Sequence, residues 1–365
     1  MKQQRCLIAM SGGVDSSVAA ALMQQAGYDC VGATMKLFPC PCFDEDALEK
    51  GFVCGCPDNA CDVVDAMQIC KRLGIPHHTL RLEHEFEARV VKPFVDAYVA
   101  GSTPNPCITC NRHLKFAALL AWAHGEGIGC LATGHYARVE GGRLFKAKDA
   151  RKDQSYVLYT LSGEQLRQLR FPLGEYSKDE VRKLAAELGF SVADKEESQD
   201  ICFVPQGNYT EFIETYLRLR KLQLPRPGNI VNTSGAVLGT HRGVHHYTVG
   251  QRRGLGVSGP EPLYVLDIDA PSATLRVGSA SERGEQVALL SEVNIIDPGT
   301  PVDGRSFSVR HRYQGREHDA QVFLPAGNTA RIVFSKKQPD LTRGQALVIY
   351  DGDRVVGGGT ITATE

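Results

Sequence analysis

The sequence has no apolar run near the roughly 18 residues that a membrane-spanning helix needs, so no helical membrane anchor is expected. It has almost no net charge: 41 Lys and Arg stand against 42 Asp and Glu, giving −1. No global basic field exists, and a polyanion would have to be held by local patches. Internal repeats and low-complexity segments are also missing. The first apolar stretch, Cys6–Met10, follows Lys2 and Arg5 but is too short for a signal peptide and runs directly into glycines. A cytoplasmic location without a membrane partner is the expectation.

What is present suits a soluble globular chain of two or three domains: 365 residues, 42% hydrophobic and 23% charged. Cysteine is plentiful, at twelve residues. In a cytoplasmic chain that points to catalysis or metal rather than to disulfides. Cys6, Cys30, Cys70 and Cys130 sit in apolar or helical settings and read as buried structural thiols. The others cluster: Cys40, Cys42, Cys54, Cys56 and Cys61; the pair Cys107 and Cys110; and Cys202 far downstream.

The first half alternates short apolar runs with helical patterns. Strands are expected at Cys6–Met10, Val31–Leu37, His77–Leu82 and Cys130–Thr133. Helices are expected at Ser16–Ala26, Asp62–Leu73, Glu85–Ala100, Leu114–His124 and Lys178–Leu188. Gly27 and Gly74 read as helix stops, and Ser177 with Glu180 reads as a capping box. This rhythm predicts an α/β fold, a mostly parallel sheet with helices on both faces over residues 1–205, with ligands beyond the carboxyl ends of the strands. After Cys202 the rhythm changes. A helix over Asn208–Leu222 and a glycine-punctuated stretch suggest a small central domain, 206–280. Short alternating runs such as Ser306–Val309, Ala330–Phe334 and Ala346–Tyr350 predict a C-terminal β-barrel, 281–365.

Between the first strand and helix lies Ser11-Gly12-Gly13-Val14-Asp15-Ser16-Ser17. A glycine turn at a helix N-terminus gathers backbone N–H groups around an anion. The loop has no Gly-Lys-Ser/Thr, so no lysine of its own reaches toward terminal phosphates. Asp15 stands there instead, and a carboxylate beside phosphates makes sense mainly as a Mg²⁺ ligand. An ordinary glycine turn is the plainer alternative. The loop resembles the signature of the ATP-pyrophosphatase family. That likeness implies ATP cleavage between the α- and β-phosphates, with AMP passed to a carbonyl oxygen.

Adenylation prepares an oxygen for displacement, and the thiols suggest that sulfur displaces it. Thr103–Asn111 is stiffened by Pro104 and Pro106, with Asn111 a candidate cap for the next helix. A thiol at a helix N-terminus ionises more readily than one in solution. A purely structural Cys-x-x-Cys is the alternative. Ser198-Gln199-Asp200-Ile201-Cys202-Phe203 follows an acidic stretch near the end of the α/β domain.

Several motifs in one order resemble the bacterial tRNA 2-thiouridylase family over nearly the whole chain. They are the Ser11–Ser17 loop, Thr34-Met35-Lys36, Thr103–Asn111, Ala132–Tyr136, Lys152–Tyr156, Ser198–Phe203 and His246–Gly256. The resemblance implies an adenine-nucleotide α-hydrolase-like first domain. It also implies thiolation of the wobble uridine in tRNAs for Lys, Glu and Gln: ATP adenylates O2 of the uracil, and sulfur then replaces it. By the same likeness, Cys202 would carry a persulfide delivered by a sulfur-relay protein or a cysteine desulfurase. Cys110 would help release the sulfur, through a transient Cys110–Cys202 disulfide. Ala9, Met10, Ser11, Gly12, Gly13, Val14, Asp15, Ser16, Met35 and Gly134 would line the ATP site. Asn105, Pro106 and Cys107 would meet the target base. His135, Lys152, Asp153, Gln154, Arg312, Tyr313 and Gln345 would touch tRNA, and the central domain and barrel would hold the anticodon stem-loop.

Two departures from the family pattern bear on mechanism. Relatives often carry Asp where this chain has Cys107. Cys107, Cys110 and Cys202 therefore form a three-thiolate set of the kind a four-iron, four-sulfur cluster uses, an alternative to the persulfide. Relatives also have a shorter loop where this chain has Cys40, Cys42, Cys54, Cys56 and Cys61. That set could bind zinc or a structural cluster, stay as thiols, or accept sulfur. Local basic sets suit an extended RNA backbone: Lys146, Lys148, Arg151 and Lys152; Arg218, Arg220 and Lys221; Arg252 and Arg253; Arg310, His311 and Arg312; Lys336 and Lys337. Two other function classes stay open: a small-molecule amidoligase of the same superfamily, and a metal- or sulfur-carrying protein without catalysis. The first lacks an evident glutaminase domain and leaves Cys110 and Cys202 unexplained.

Overall fold

The computed structural model describes residues 3–38, 59–190, 192, 201–204, 207–325 and 327–365. The chain divides into two compact units. One comprises residues 1–89, 108–199 and 353–355; the other comprises 90–107, 200–352 and 356–365. Among the described residues no helix is long and apolar enough to cross a membrane.

The first unit is built on a parallel sheet. Its strands are β1 (Arg5–Ala9), β2 (Asp29–Lys36), β3 (His77–Arg81), β4 (Leu131–Ala132) and, after a hairpin of β5 (Arg138–Glu140) and β6 (Arg143–Phe145), β7 (Leu169–Arg170). Their order is β3-β2-β1-β4-β7. β1 lies in the middle, paired with β2 on one side (Ala9 opposite Ala33) and β4 on the other (Leu7 opposite Leu131). A central parallel strand is covered on both faces and reads as an unbroken apolar run; Cys6, Leu7 and Ile8 are all fully buried.

Helix α1 (Val14–Gln25) packs on β1 and β2, and α2 (Asn59–Leu73) packs on β2 and β3. Both stop where expected, at Gly27 and Gly74, whose φ values of +85° and +68° lie in the left-handed region. Cys6, Cys30, Cys70 and Cys130 are all in this core, as the apolar settings implied. Burial pushes the Cys30 thiol up to about 11 and the Cys70 thiol to about 12, so neither is a nucleophile at neutral pH.

A third helix runs Glu83–Phe86, widens through a π turn at Glu87–Val91 and continues as Lys92–Val99. The next, α4, begins at Pro106–Cys110, passes through a wide stretch at Asn111–Ala118 and ends as Leu119–Gly125. It therefore starts eight residues earlier than the periodicity suggested, and its cap is not Asn111. The Asn105 side chain accepts from the Cys107 N–H at 3.1 Å, and Pro106 takes the first helical position, where its missing N–H costs nothing. Asn111 is buried and donates instead to the Val157 carbonyl at 3.1 Å.

After the short α5 (Gly163–Gln168), α6 (Lys178–Glu187) opens with the expected capping box. The Ser177 hydroxyl accepts from the Glu180 N–H, and the Glu180 carboxylate accepts from the Ser177 N–H. α6 packs against α1.

The second unit contains α7 (Tyr209–Leu219) and two β structures. Strands β8 (Gly228–Val231), β9 (Val237–His241), β10 (Tyr264–Asp269) and β11 (Thr274–Gly278) form a sheet in the order β10-β11-β8-β9, over a core of Ile230, Leu275 and Val277. The last six strands are β12 (Glu285–Ile295), β13 (Arg305–Arg310), β14 (His318–Phe323), β15 (Ala330–Gln338), β16 (Ala346–Asp351) and β17 (Arg354–Thr364). They run β12-β15-β14-β13-β16-β17, and β12 pairs again with β17 to close a barrel. Closure removes exposed strand edges. Val309, Ile332, Leu347 and Ile349 fill the interior completely.

The cap on α6 yields a prediction. Ser177→Ala removes the acceptor for the Glu180 N–H and should cost about 1 kcal/mol. It should lower the melting temperature while leaving the circular dichroism spectrum at 20 °C (about room temperature) unchanged.

Candidate phosphate-binding site

The glycine loop lies at the carboxyl end of β1, where an open parallel sheet presents its ligand site. Ser17 N–H donates to the Gly13 carbonyl at 3.3 Å and makes the first intrahelical bond of α1. The N–H groups ahead of it have no place in the helical ladder. The loop is braced from inside. Ser16 Oγ donates to the Gly13 carbonyl at 3.1 Å and accepts from Ser11 N–H at 3.1 Å and Ser11 Oγ at 3.2 Å. Ser17 Oγ donates to the same carbonyl at 2.9 Å. These serines shape the loop.

Gly12 is required twice over. Its φ is +70°, and a Cβ there would sit 2.2 Å from the Asp62 carbonyl oxygen. Gly134, from the turn after β4, lies against the same helix start: a Cβ there would be 2.9 Å from Ser16 N. Met35 lies two residues beyond Ala33, the partner of Ala9. Thus Ala9–Ser16, Met35 and Gly134 all belong to one corner of this unit.

Asp15 has a partner that local sequence did not reveal. Lys178 Nζ lies 2.7 Å from its Oδ1 and 2.9 Å from its Oδ2, and Tyr136 Oη donates to Oδ1 at 2.7 Å. The lysine side chain is 6% exposed, against 32% for Asp15. Lys178 is the first residue of α6, which the Ser177 cap holds in place. Its N–H also donates to Asp149 at 3.3 Å. Both oxygens of the Asp15 carboxylate, read from the sequence as a Mg²⁺ ligand, face the Lys178 ammonium here. The cation missing from the loop's own sequence is supplied 163 residues away.

The residues assigned to tRNA contact fare differently. His135 is buried, its Nδ1 2.7 Å from Thr133 Oγ1 and its ring between Phe116 and Phe171. Burial, then Lys115, holds it well below the ordinary imidazole range. The ring is enclosed here rather than presented to solvent. Asp153 is buried too and accepts from Ala147 N–H, Ser155 N–H and Ser155 Oγ. Gln154 accepts from Tyr136 N–H at 2.9 Å and so supports the tyrosine that reaches Asp15. Lys152 is partly exposed.

In the second unit Gln345 donates to the Thr103 carbonyl at 2.8 Å, and Thr103 N–H donates to the Arg343 carbonyl at 2.9 Å. Gln345 therefore positions the Thr103–Pro104 segment. Arg312 pairs with Asp340 at 3.3 Å, and Tyr313 is partly exposed. Of the basic sets, His311 is buried, Arg310 is bound to Glu317 at 2.8 Å and Arg218 to Glu214 at 2.6 Å. Arg220, Lys221, Arg252, Arg253, Lys336 and Lys337 are exposed.

Cys107 and Cys202 are exposed thiols and Cys110 is a buried one. Cys107 and Cys110 lie three residues apart in the first turns of α4. Cys40, Cys42, Cys54 and Cys56 fall outside the described residues; Cys61 lies on α2. Among the described residues, the one trio of metal-ligating side chains whose ligand atoms converge is Glu214, His245 and His246.

Three family models match in sequence: a tRNA methyl transferase HUP domain over residues 4–206, a tRNA methyl transferase PRC-barrel domain over 211–279 and an aminomethyltransferase β-barrel domain over 286–361. Full-length relatives are named tRNA-specific 2-thiouridylase MnmA. One from Geotalea uraniireducens is 44% identical over 365 residues, covering 99% of this chain and 95% of its own. Another, from Halothermothrix orenii, is 42% identical, with 98% of both chains covered. A third, from Moorella thermoacetica, is 44% identical over 97% of this chain and 98% of its own.

Two predictions follow from this geometry. Gly12→Ala should abolish nucleotide binding, measured by calorimetry with ATP, while a neighbouring Ser11→Ala binds within about tenfold of the parent. Because His135 binds its proton less readily folded than unfolded, the unfolded chain takes up more protons below about pH 6.5, and stability falls as pH drops. In His135→Phe the decline in melting temperature between about pH 7 and 5 should be shallower.

Proposed function

The chain belongs to the tRNA-specific 2-thiouridylase family, and we propose that it adenylates O2 of the wobble uridine in tRNAs for Lys, Glu and Gln and replaces that oxygen with sulfur. The observation that carries this reading is the braced glycine loop at the start of α1, with a buried lysine held at its foot by Asp15. Backbone N–H groups and the α1 N-terminus hold the anionic phosphates. Lys178 meets the charge that grows on the pyrophosphate as its bond to the α-phosphorus breaks. Asp15 keeps the ammonium aimed until ATP arrives, with Tyr136 bound to the same carboxylate. The uracil oxygen attacks the α-phosphorus, pyrophosphate leaves, and O2 becomes part of a good leaving group, AMP.

Sulfur then attacks C2. An exposed Cys202 thiol suits loading by a sulfur-relay protein or a cysteine desulfurase. The terminal sulfur of a Cys202 persulfide bonds to C2 and AMP departs with O2. Cys110 then attacks Cys202 Sγ, which forms a Cys110–Cys202 disulfide and leaves the transferred sulfur on the base. An external thiol restores both cysteines. Asn105, Pro106 and Cys107 hold the flipped base in this reading, with Gln345 setting the loop that carries them. Lys152, Arg312 and Tyr313, together with the exposed Arg252, Arg253, Lys336 and Lys337, would meet the RNA backbone.

The test is AMP and 2-thiouridine formation by the purified chain with ATP, tRNA, a cysteine desulfurase with cysteine as persulfide source, and a thiol reductant. Lys178→Met should lower AMP formation by about 10²- to 10³-fold. Asp15→Asn combined with Lys178→Met removes the unpaired carboxylate, so it should recover stability but not activity. Cys202→Ser should still form AMP in a tRNA-dependent way but no 2-thiouridine. Loss of tRNA dependence would favour a small-molecule ligase. Iron in the active enzyme, with the visible absorbance of a cluster, would replace the persulfide by a cluster on Cys107, Cys110 and Cys202.

A further inference from the structure

Apart from Arg252 and Arg253, the His246–Gly256 motif has no part in the reading above, yet a distinctive group of side chains stands at its start. Glu214 projects from α7, and His245 and His246 form the short 3-10 turn Val244–His246. Glu214 Oε1 lies 3.3 Å from His246 Nε2 and 3.6 Å from His245 Nε2. The two imidazole rings are 4.2 Å apart between centroids, and all three ligand atoms fall within 4.8 Å of one another.

His245 is the telling member. It is 2% exposed, and both its ring nitrogens are buried without a hydrogen-bond partner. The carboxylate oxygen at 3.6 Å is beyond hydrogen-bonding reach. Nearby His241 shows the ordinary solution: its Nε2 contacts the Ala273 carbonyl at 2.9 Å and its Nδ1 accepts from Gly243 N–H at 3.1 Å. A buried imidazole with neither nitrogen satisfied is costly unless something else meets it. The backbone makes room for this ring. A Cβ at Gly243 would lie 2.6 Å from His245 Cε1.

We propose that Glu214, His245 and His246 bind a divalent transition-metal ion of the zinc class. A tetrahedral ion with bonds of about 2.0–2.1 Å sets its ligand atoms about 3.3–3.4 Å apart, close to the two separations from Glu214 Oε1. Arg218 Nη2 pairs with the other carboxylate oxygen at 2.6 Å, which turns Oε1 toward the imidazoles. The neighbouring charges argue for the ion class. Arg218, together with Arg242, which acts on both histidines, opposes an ion held by charge alone, so Mg²⁺ and Ca²⁺ are disfavoured. Nitrogen donors suit zinc and its neighbours. The metal would fasten α7 to the turn that leads into Tyr247–Gly256. Water would take the fourth position.

The full chain also holds cysteines that bind soft metals, so the probe must separate nitrogen and oxygen ligands from sulfur. Metal-stripped protein is titrated with Co²⁺ and followed by absorption. Cobalt on this trio gives visible d–d bands without the near-ultraviolet thiolate charge-transfer band. We expect one equivalent of such cobalt, displaced by Zn²⁺ and accompanied by a rise in melting temperature. Glu214→Gln and the partly exposed His246→Gln, each checked for an unchanged circular dichroism spectrum, should lose those bands and the rise. Only thiolate-type cobalt in the parent, or bands that persist in both folded variants, would overturn the proposal.

Discussion

The Asp15–Lys178 ion pair ties the first unit together at its glycine loop. It joins the first turn of α1 to the first residue of α6, and Tyr136 from the turn after β4 closes the contact. Burying an ammonium is costly unless a carboxylate lies against it, and Asp15 meets that need here. Around the pair, each support has its own: Ser177 caps α6, Gln154 holds Tyr136, and Asp153 holds the turn that carries Gln154. Several residues first read as RNA contacts are parts of this scaffold.

That arrangement gives the glycine loop an economical chemistry. The loop supplies fixed dipoles, which need no reorganisation when an anion arrives. The cation comes from another element, α6, and in the proposed reaction it would exchange a carboxylate for a phosphate without moving the loop. In the proposed reaction the thiols would serve a later step, and their exposure differs: Cys202 is exposed and Cys110 is buried.

Features encoded within a few residues were legible in the sequence. β1, the glycine loop, the helix stops at Gly27 and Gly74, and the Ser177–Glu180 box all rest on local rules and appear as expected. Features that depend on distant packing were not. Nothing near position 178 announces a partner at position 15. His135 lies in a motif that looks functional, but it is buried against two aromatic rings, Phe116 and Phe171. Asn111 reads as the cap from the sequence, but Pro106 fits the first helical turn and Asn105 accepts from the Cys107 N–H. The unsatisfied nitrogens of His245 are visible only once α7 and the 3-10 turn are brought together.

The central claim is that this chain places sulfur on the wobble uridine of tRNA. The direct measurement is mass analysis of nucleosides from tRNAs for Lys, Glu and Gln in cells lacking the chain. The account predicts loss of wobble 2-thiouridine, restored by the intact chain and not by Lys178→Met or Cys202→Ser. Unchanged 2-thiouridine in those tRNAs would contradict it.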